Sequence, residues 1–240
     1  MRSVEPLPAT TIIVIRNFKG VKNNIEVLMT KRHDSLKFLG GFYVFPGGKI
    51  EKQDYSDESI SRLKGINLVK AHQILNLNVL NLKNKDVKNI LLGYWIAGIR
   101  ELFEEIGILL VEDETGKILN NLDEIKFNKY RSKIINNKLL MSEMMEKENL
   151  YYSSNNLIYY NRFVTPKFSP KRFDTRFFIC KLPEGQEKSI IPHEKEISKI
   201  IWIKPQDALK KCKTSEDFKL IFPQIVSLKD LNAFDYTSLK

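Results

Sequence analysis

The sequence predicts an α+β fold, on three observations. Two β-branched runs, Ala9 to Arg16 and Ile25 to Thr30, read as a strand pair across the turn-like segment from Asn17 to Asn24. Apolar residues at Ile99, Leu102, Phe103 and Ile106 share one face of a helix at about 100° per residue. Between them lies a turn signal, Phe45-Pro46-Gly47-Gly48. The chain is organised around that turn, which continues Lys49-Ile50-Glu51-Lys52-Gln53-Asp54, and around the helix segment Arg100-Glu101-Leu102-Phe103-Glu104-Glu105-Ile106-Gly107-Ile108. Glu101, Glu104 and Glu105 gather on the side opposite the apolar face, where like charges repel one another. Either a hard cation such as Mg²⁺ sits against them, sharing its waters with phosphate, or the face is solvated and Arg100–Glu104 is an ordinary i, i+4 pair. The glycine turn favours the cation, because glycine lets backbone groups approach a ligand closely.

At 240 residues the chain is expected to form a single domain over 1–240, with an embellishment, and to bury a sizeable core. Its net charge of +10 invites a nucleic-acid reading, but the excess is Lys spread among Asn-rich stretches rather than in blocks. A generally basic surface is expected, nucleic acid is not the expected partner, and a small polyanionic substrate would profit from the field. Cys180 and Cys212 stand in no CxxC or Cys/His spacing, so neither a disulfide framework nor a zinc site is indicated. Cys180 lies in an apolar run and reads as a small buried hydrophobe. No secretory signal is legible at the start, and no apolar run approaches the roughly eighteen residues a membrane span needs. The ending Thr237-Ser238-Leu239-Lys240 is not a Ser-Lys-Leu peroxisomal address, so a cytoplasmic location is the default expectation. The oligomeric state stays open, a homodimer included.

Residues 55–95, rich in Asn, Leu and Lys with little Gly or Pro, read as folded helices rather than a linker. Leu68, Ala71, Ile74, Leu75 and Leu77 have roughly helical spacing, and a second helical pattern starts near Lys85 and runs into the acidic helix. Ile108 to Val111 reads as a short buried strand, and Leu122 to Leu150 as helical. Met141, Met144 and Met145 in that stretch are either helix packing or an adaptable surface for an acyl chain. Leu157 to Val164 is strand-like, with Pro166 and Pro170 punctuating the loop after it. In the next strand Phe173, Thr175, Phe177 and Ile179 share one face, and Arg172, Asp174, Arg176 and Phe178 the other. Lys199 to Lys204 reads as a strand, Pro205 suits the first turn of the helix after it, and Glu216 to Ser227 reads as a closing helix.

The segment Arg100 to Ile108 resembles the second half of the Nudix box, Arg-Glu-apolar-x-Glu-Glu-x-Gly-apolar, at every fixed position. The first half, a Gly followed after five residues by Glu, is met by Gly48 and by Asp54 in place of the Glu. The long stretch between Asp54 and Arg100 is similar to the subfamily with an insertion inside the box, of which the peroxisomal acyl-coenzyme A diphosphatases are the familiar members. Leu28-Met29-Thr30-Lys31-Arg32, then Lys37, Gly41 and Phe45-Pro46-Gly47-Gly48 resemble the signature of coenzyme A-cleaving Nudix enzymes, with His33 where a small residue is usual and Lys37 in place of a second Arg. A Lys keeps the charge and loses bidentate phosphate binding. The run Arg172-Phe173-Asp174-Thr175-Arg176-Phe177-Phe178 is similar to one in the same subfamily.

The resemblance implies a mixed β-sheet sandwiched between helices, with a helical insertion at about 55–95, and a metal-dependent diphosphatase using Mg²⁺ or Mn²⁺. It implies Glu101, Glu104 and Glu105 as metal ligands, the Gly47 carbonyl as a further one, and Asp54 acting through metal-bound water or an outer contact. Glu101 is alternatively the base, Arg100 orients the carboxylates, and Glu105 completes the catalytic set. A late-loop glutamate, Glu194 or Glu196, completes the metal or base set unless it is a plain loop charge; Glu196 is the one carried forward. The implied substrate is coenzyme A or an acyl-coenzyme A, met by Arg32, Lys37 and Gly48, unless Arg32 is only a strand-end charge. Arg172 and Arg176 either form an ion network around Asp174 or send one guanidinium to the pyrophosphate. The insertion either covers bare core or caps the acyl end. Two rivals remain: a Nudix activity on ADP-ribose, dinucleotides or capped RNA, and a non-catalytic nucleotide or nucleic-acid binder.

Overall fold

A computed structural model describes residues 4–17, 25–76 and 85–232. Leu7–Asn17 (β1) and Ile25–Arg32 (β2) are the two expected strands, and the turn expected between them, residues 18–24, lies outside the described residues. They pair antiparallel only at their joined ends, Ile15 against Val27 and Asn17 against Ile25. Beyond that they part, and Tyr43–Val44 (β3) pairs with β2 while Gly47–Lys49 (β4) pairs with β1. The glycine turn is thereby built into the sheet. Further on come Leu63–Lys64 (β5), Val111–Glu112 (β6), Tyr151–Ser153 (β7), Ile158–Val164 (β8), Phe173–Lys181 (β9) and Ile197–Ile203 (β10). β9 runs parallel to β1 with Thr10 beside Arg176, and the mixed sheet has the order β10-β2-β1-β9-β8; β5, β7 and β6 form a small second sheet.

Strand alternation divides the core. Ile12, Val14, Phe178 and Cys180 point to one side of the sheet, under the long helix α3 introduced below, and Ile13, Ile15, Phe177 and Ile179 to the other. That second side is closed by Pro205–Thr214 (α6) and Phe222–Asn232 (α7), whose Ala208, Leu228 and Leu231 pack there. The helices of the first side are Asp57–Ser61 (α1), Leu68–Leu75 (α2), Lys85–Ile106 (α3), Glu124–Ile135 (α4) and Met141–Lys147 (α5). The second helical pattern of the insertion does run unbroken into the acidic helix as α3. Gly98 lets α3 lie close on β1: a Cβ there would stand 2.7 Å from Ile12 Cδ1.

One apolar face was expected for this helix; instead Leu91 through Arg100 are all buried. The reason is that the insertion covers its outer side. Ile60, Leu63, Ile66, Leu68, Ala71 and Leu75 pack into the same core as Trp95 and Ile99; Leu77 lies outside the described residues. Met141, Met144 and Met145 are buried in that core as helix packing, and Cys180 is likewise buried. No helix among the described residues is long and apolar enough to cross a membrane.

Three expected elements differ. The helical stretch from Leu122 to Leu150 is two helices, broken where Asn137 takes φ +54°. Ile108–Val111 forms a ladder only from Val111, because the fully buried Gln186 stands in for a neighbouring strand. Its Oε1 accepts from Leu109 N–H (2.9 Å), and its Nε2 donates to the Leu109 carbonyl (2.9 Å) and the Leu119 carbonyl (3.1 Å). The closing helix starts at Phe222 rather than Glu216, since the Lys219 carbonyl is taken by Tyr43 N–H at 2.9 Å.

Gln186→Ala strands these buried groups, and we expect a loss of at least about 2 kcal/mol in urea unfolding, at roughly 1–3 kcal/mol per buried group left unpaired. A loss under about 0.5 kcal/mol would mean that water replaces the amide.

Candidate active site

Asp54 and Arg100 join the two halves of the motif. Asp54 sits in a 3₁₀ turn, Lys52–Tyr55, where its Oδ2 accepts from Glu51 N–H at 2.7 Å. Arg100 donates from Nε to Asp54 Oδ1 (2.7 Å) and from Nη2 to Oδ2 (2.9 Å), a two-pronged pair with both residues almost fully buried. The same guanidinium donates to the Lys49 carbonyl (3.1 Å), Glu101 Oε1 (2.9 Å) and Glu104 Oε2 (3.5 Å). Arg100–Glu104 is therefore one limb of a buried network and not an ordinary surface pair. Asp54 has both oxygens engaged, so as placed it holds the arginine rather than facing an ion.

The glycine turn supplies the opposite wall. Gly47, at φ +153°, donates its N–H to Glu105 Oε2 at 3.1 Å, and a Cβ there would strike the Thr10 carbonyl. A Cβ at Gly48 would run into the Glu101 carboxylate. Two glutamates thus lie directly against glycine backbone.

The end of α3 fixes the third component. Its last four carbonyls, which no helical N–H can reach, are all satisfied. Phe103 accepts from Gly107 N–H (3.0 Å), Glu105 from His193 N–H (2.8 Å) and Ile106 from Ile191 N–H (3.0 Å), while Glu104 accepts from Arg131 Nε (3.1 Å) and Nη2 (2.9 Å). The loop docked through His193 carries Glu196 close enough for its charge to act on Glu105, whereas Glu194 is exposed to solvent. The charge of Arg32 also reaches Glu105, and its Nε donates to the Phe38 carbonyl at 3.2 Å; Lys37 is exposed.

Among the described residues no hydrogen bond or ion pair joins the two later arginines to these groups. Arg172 is spent on backbone, donating to the Thr165 carbonyl (3.0 Å) and the Val4 carbonyl (2.6 Å). Arg176 is buried beside the Tyr94 ring, 3.8 Å from Asp174, with Nε and Nη2 lacking a hydrogen-bond partner among the described residues. Asp174 is held more tightly by Arg162, through two bonds of 2.7 Å, so the ion network around it joins Arg162 and Arg176 rather than Arg172. The sequence reading missed Arg162 and Arg131: Arg162 becomes visible only through the β8–β9 register, and Arg131 carries no local signal within a helical pattern.

Burial sets the electrostatics. Desolvation raises the carboxyls of Asp54, Glu104 and Glu105, Glu105 well above the usual range, with the charges of Glu101 and Glu196 adding to its shift. Glu101 is pushed up to about 7 by burial, opposed by Arg100 and helped by Glu104. Against Asp54, Glu101, Glu104, Glu105 and Glu196 stand Arg100, Arg32 and Arg131, still a surplus of negative charge. Among the described residues no three His, Cys, Asp or Glu side chains are spaced to hold an ion as they stand, since Glu101 and Glu104 bond to Arg100 and Glu105 to Gly47. The donor chemistry nevertheless fits a hard divalent cation: all-oxygen, over-charged and set against glycine backbone.

A family model described as the NUDT19 Nudix domain matches residues 7–231. Acyl-coenzyme A diphosphatase NUDT19 of Xenopus laevis is 31% identical, the match covering 84% of this chain and 58% of the relative. Putative nudix hydrolase 7 of Caenorhabditis elegans is 26% identical over 88% of this chain and 57% of its own. The chain thus spans less than two thirds of the length of these curated relatives. Peroxisomal coenzyme A diphosphatase 1 of Saccharomyces cerevisiae shares 35% identity over 60 residues, 25% of this chain and 18% of that protein. The crystal structure of a NUDIX hydrolase from Alicyclobacillus acidocaldarius superposes with a TM-score of 0.76 at 27% identity, covering 98% of this chain and 95% of the other. A mixed sheet between helices, with glycine backbone set against a glutamate helix, is the Nudix architecture. This chain belongs to the Nudix hydrolase family, within the group described by the NUDT19 domain.

Raised carboxyl pKa values mean that folding takes up protons between the ordinary value of 4.5 and, for Glu101, about 7. The metal-free protein should therefore lose stability as pH rises through that window, and Mg²⁺ or Mn²⁺ should raise the thermal midpoint more at pH 8 than at pH 5. A stabilisation by metal that is equal at both pH values would contradict the charge surplus.

Proposed function

We propose that this chain hydrolyses the pyrophosphate bond of coenzyme A or an acyl-coenzyme A, giving adenosine 3′,5′-bisphosphate and the (acyl-)4′-phosphopantetheine, with Mg²⁺ or Mn²⁺. The observation that carries the reading is the apposition of the Gly47-Gly48 backbone and the Glu101 and Glu105 carboxylates, with Arg32 at its edge. Membership of the NUDT19 group supports it, as do the relatives named for acyl-coenzyme A and coenzyme A.

Glu101, Glu104 and Glu105, with the Gly47 carbonyl and Glu196, would hold the ion, which when bound supplies positive charge against the pyrophosphate oxygens. Hydrolysis further needs a water in line with one phosphorus and a group to take its proton; Glu101 or Glu105 takes that role. Arg100, clamped by Asp54, keeps Glu101 and Glu104 oriented, and Arg32 with Lys37 meets the phosphates. Residues 1–240 act as one catalytic domain in this reading. We keep the cytoplasm as the expected location, noting that the yeast relative is named peroxisomal.

Turnover of the purified protein on a substrate panel with Mg²⁺ or Mn²⁺ tests the reading. Coenzyme A or an acyl-coenzyme A should be preferred; preference for ADP-ribose, a dinucleotide or capped RNA would reject the substrate, and metal-independent nucleotide binding without hydrolysis would reject the enzyme. Glu105→Gln preserves an acceptor for Gly47 N–H, so it should lower kcat by about a hundredfold or more without lowering the thermal midpoint. A near-normal rate would remove Glu105 from the reaction.

A further inference from the structure

The β2–β3 loop and the segment leading into β9 meet beside Arg32 and Lys37, in a patch whose Phe38, Phe173 and Lys171 have no part in the site described so far. Phe38 is 40% exposed, and its ring lies edge-on to Phe173 with 5.5 Å between centroids. The Lys171 ammonium stands 5.4 Å from the centre of the Phe38 ring and 5.3 Å from that of Phe173. Lys37, next to Phe38 in the chain, is exposed, and neither lysine forms a salt bridge among the described residues. The result is an exposed ring held edge-on by a second, inclined at 60°, with the Lys171 ammonium over both.

A ligand that satisfies this surface has an apolar π face and phosphate beside it, the combination that a nucleotide presents. Arg32 ties the patch to the glutamates: its Nε bonds to the Phe38 carbonyl while its charge acts on Glu105. One arginine therefore holds the chain that carries the ring and sets its charge against Glu105. We propose that Phe38, backed by Phe173, stacks the adenine of coenzyme A and that Lys171 meets the ribose 3′-phosphate. This rests on the coenzyme A reading above.

The test compares Phe38→Ala, Phe38→Tyr and Lys171→Ala with the full wild-type chain on coenzyme A and 3′-dephospho-coenzyme A in Mg²⁺ or Mn²⁺. Phe38→Ala should raise KM for both substrates by about tenfold with little change in kcat, and Phe38→Tyr should restore it, as for loss of a base–aromatic stack. Lys171→Ala should raise KM for coenzyme A more than for the dephospho compound. An unchanged KM in Phe38→Ala overturns the stacking, and an equal rise on both substrates in Lys171→Ala overturns the 3′-phosphate contact. Should the wild type cleave neither substrate, the coenzyme A reading fails and calorimetry with adenosine 3′,5′-bisphosphate decides the site separately. Binding by the wild type that weakens about tenfold in Phe38→Ala sustains the site, whereas no wild-type binding, or equal binding by both proteins, overturns it.

Discussion

The buried pair between Asp54 and Arg100 is the constraint on which the rest of the site depends. Residues 55–99 separate its members, and nothing local forces the glycine turn and the acidic helix to meet. An unpaired arginine or aspartate at that depth would be costly, so each half of the motif needs the other to fold. Once Arg100 is fixed, its remaining N–H groups orient Glu101 and Glu104, and the Lys49 carbonyl ties the same guanidinium to β4. The insertion can be long because it leaves from one side of this pair and returns to the other, covering the outer face of α3 on the way.

On this frame the chain concentrates more negative charge than it neutralises. Glycines at 47 and 48 remove the side chains that would keep Glu101 and Glu105 away from the strand, and the burial that follows raises their carboxyls. Such an arrangement costs stability and is characteristic of functional sites, where perturbed carboxylates are arranged for a charged ligand. Arg32, at the end of β2, sets its positive charge against Glu105.

Much of the scaffold was legible in the sequence because its signals are periodic. The β-branched runs gave β1 and β2, alternation gave the two faces of β9, and an uninterrupted helical pattern from Lys85 gave α3. Elements set by partners distant in sequence were not legible. The run Ile108–Val111 reads as a strand, yet Leu109 is paired by one glutamine side chain, and the start of α7 is displaced because Lys219 is held by β3. In the candidate site, residue types and spacing marked the glutamates, the glycines and Arg100. They did not distinguish Glu194 from Glu196, which depends on how the His193 loop docks on the end of α3. Nor did they show that Arg172 serves backbone carbonyls and that Arg162 takes Asp174, both consequences of strand register.

A double-mutant cycle in urea at pH 8 across Asp54→Asn, Arg100→Gln and the combined variant measures the joining of the two halves most directly. We predict single losses of about 3 kcal/mol or more and a coupling of at least about 2 kcal/mol between them, as for a buried, hydrogen-bonded ion pair. Additive losses, with coupling below about 0.5 kcal/mol, would show that the turn and the acidic helix are held together by something other than this pair.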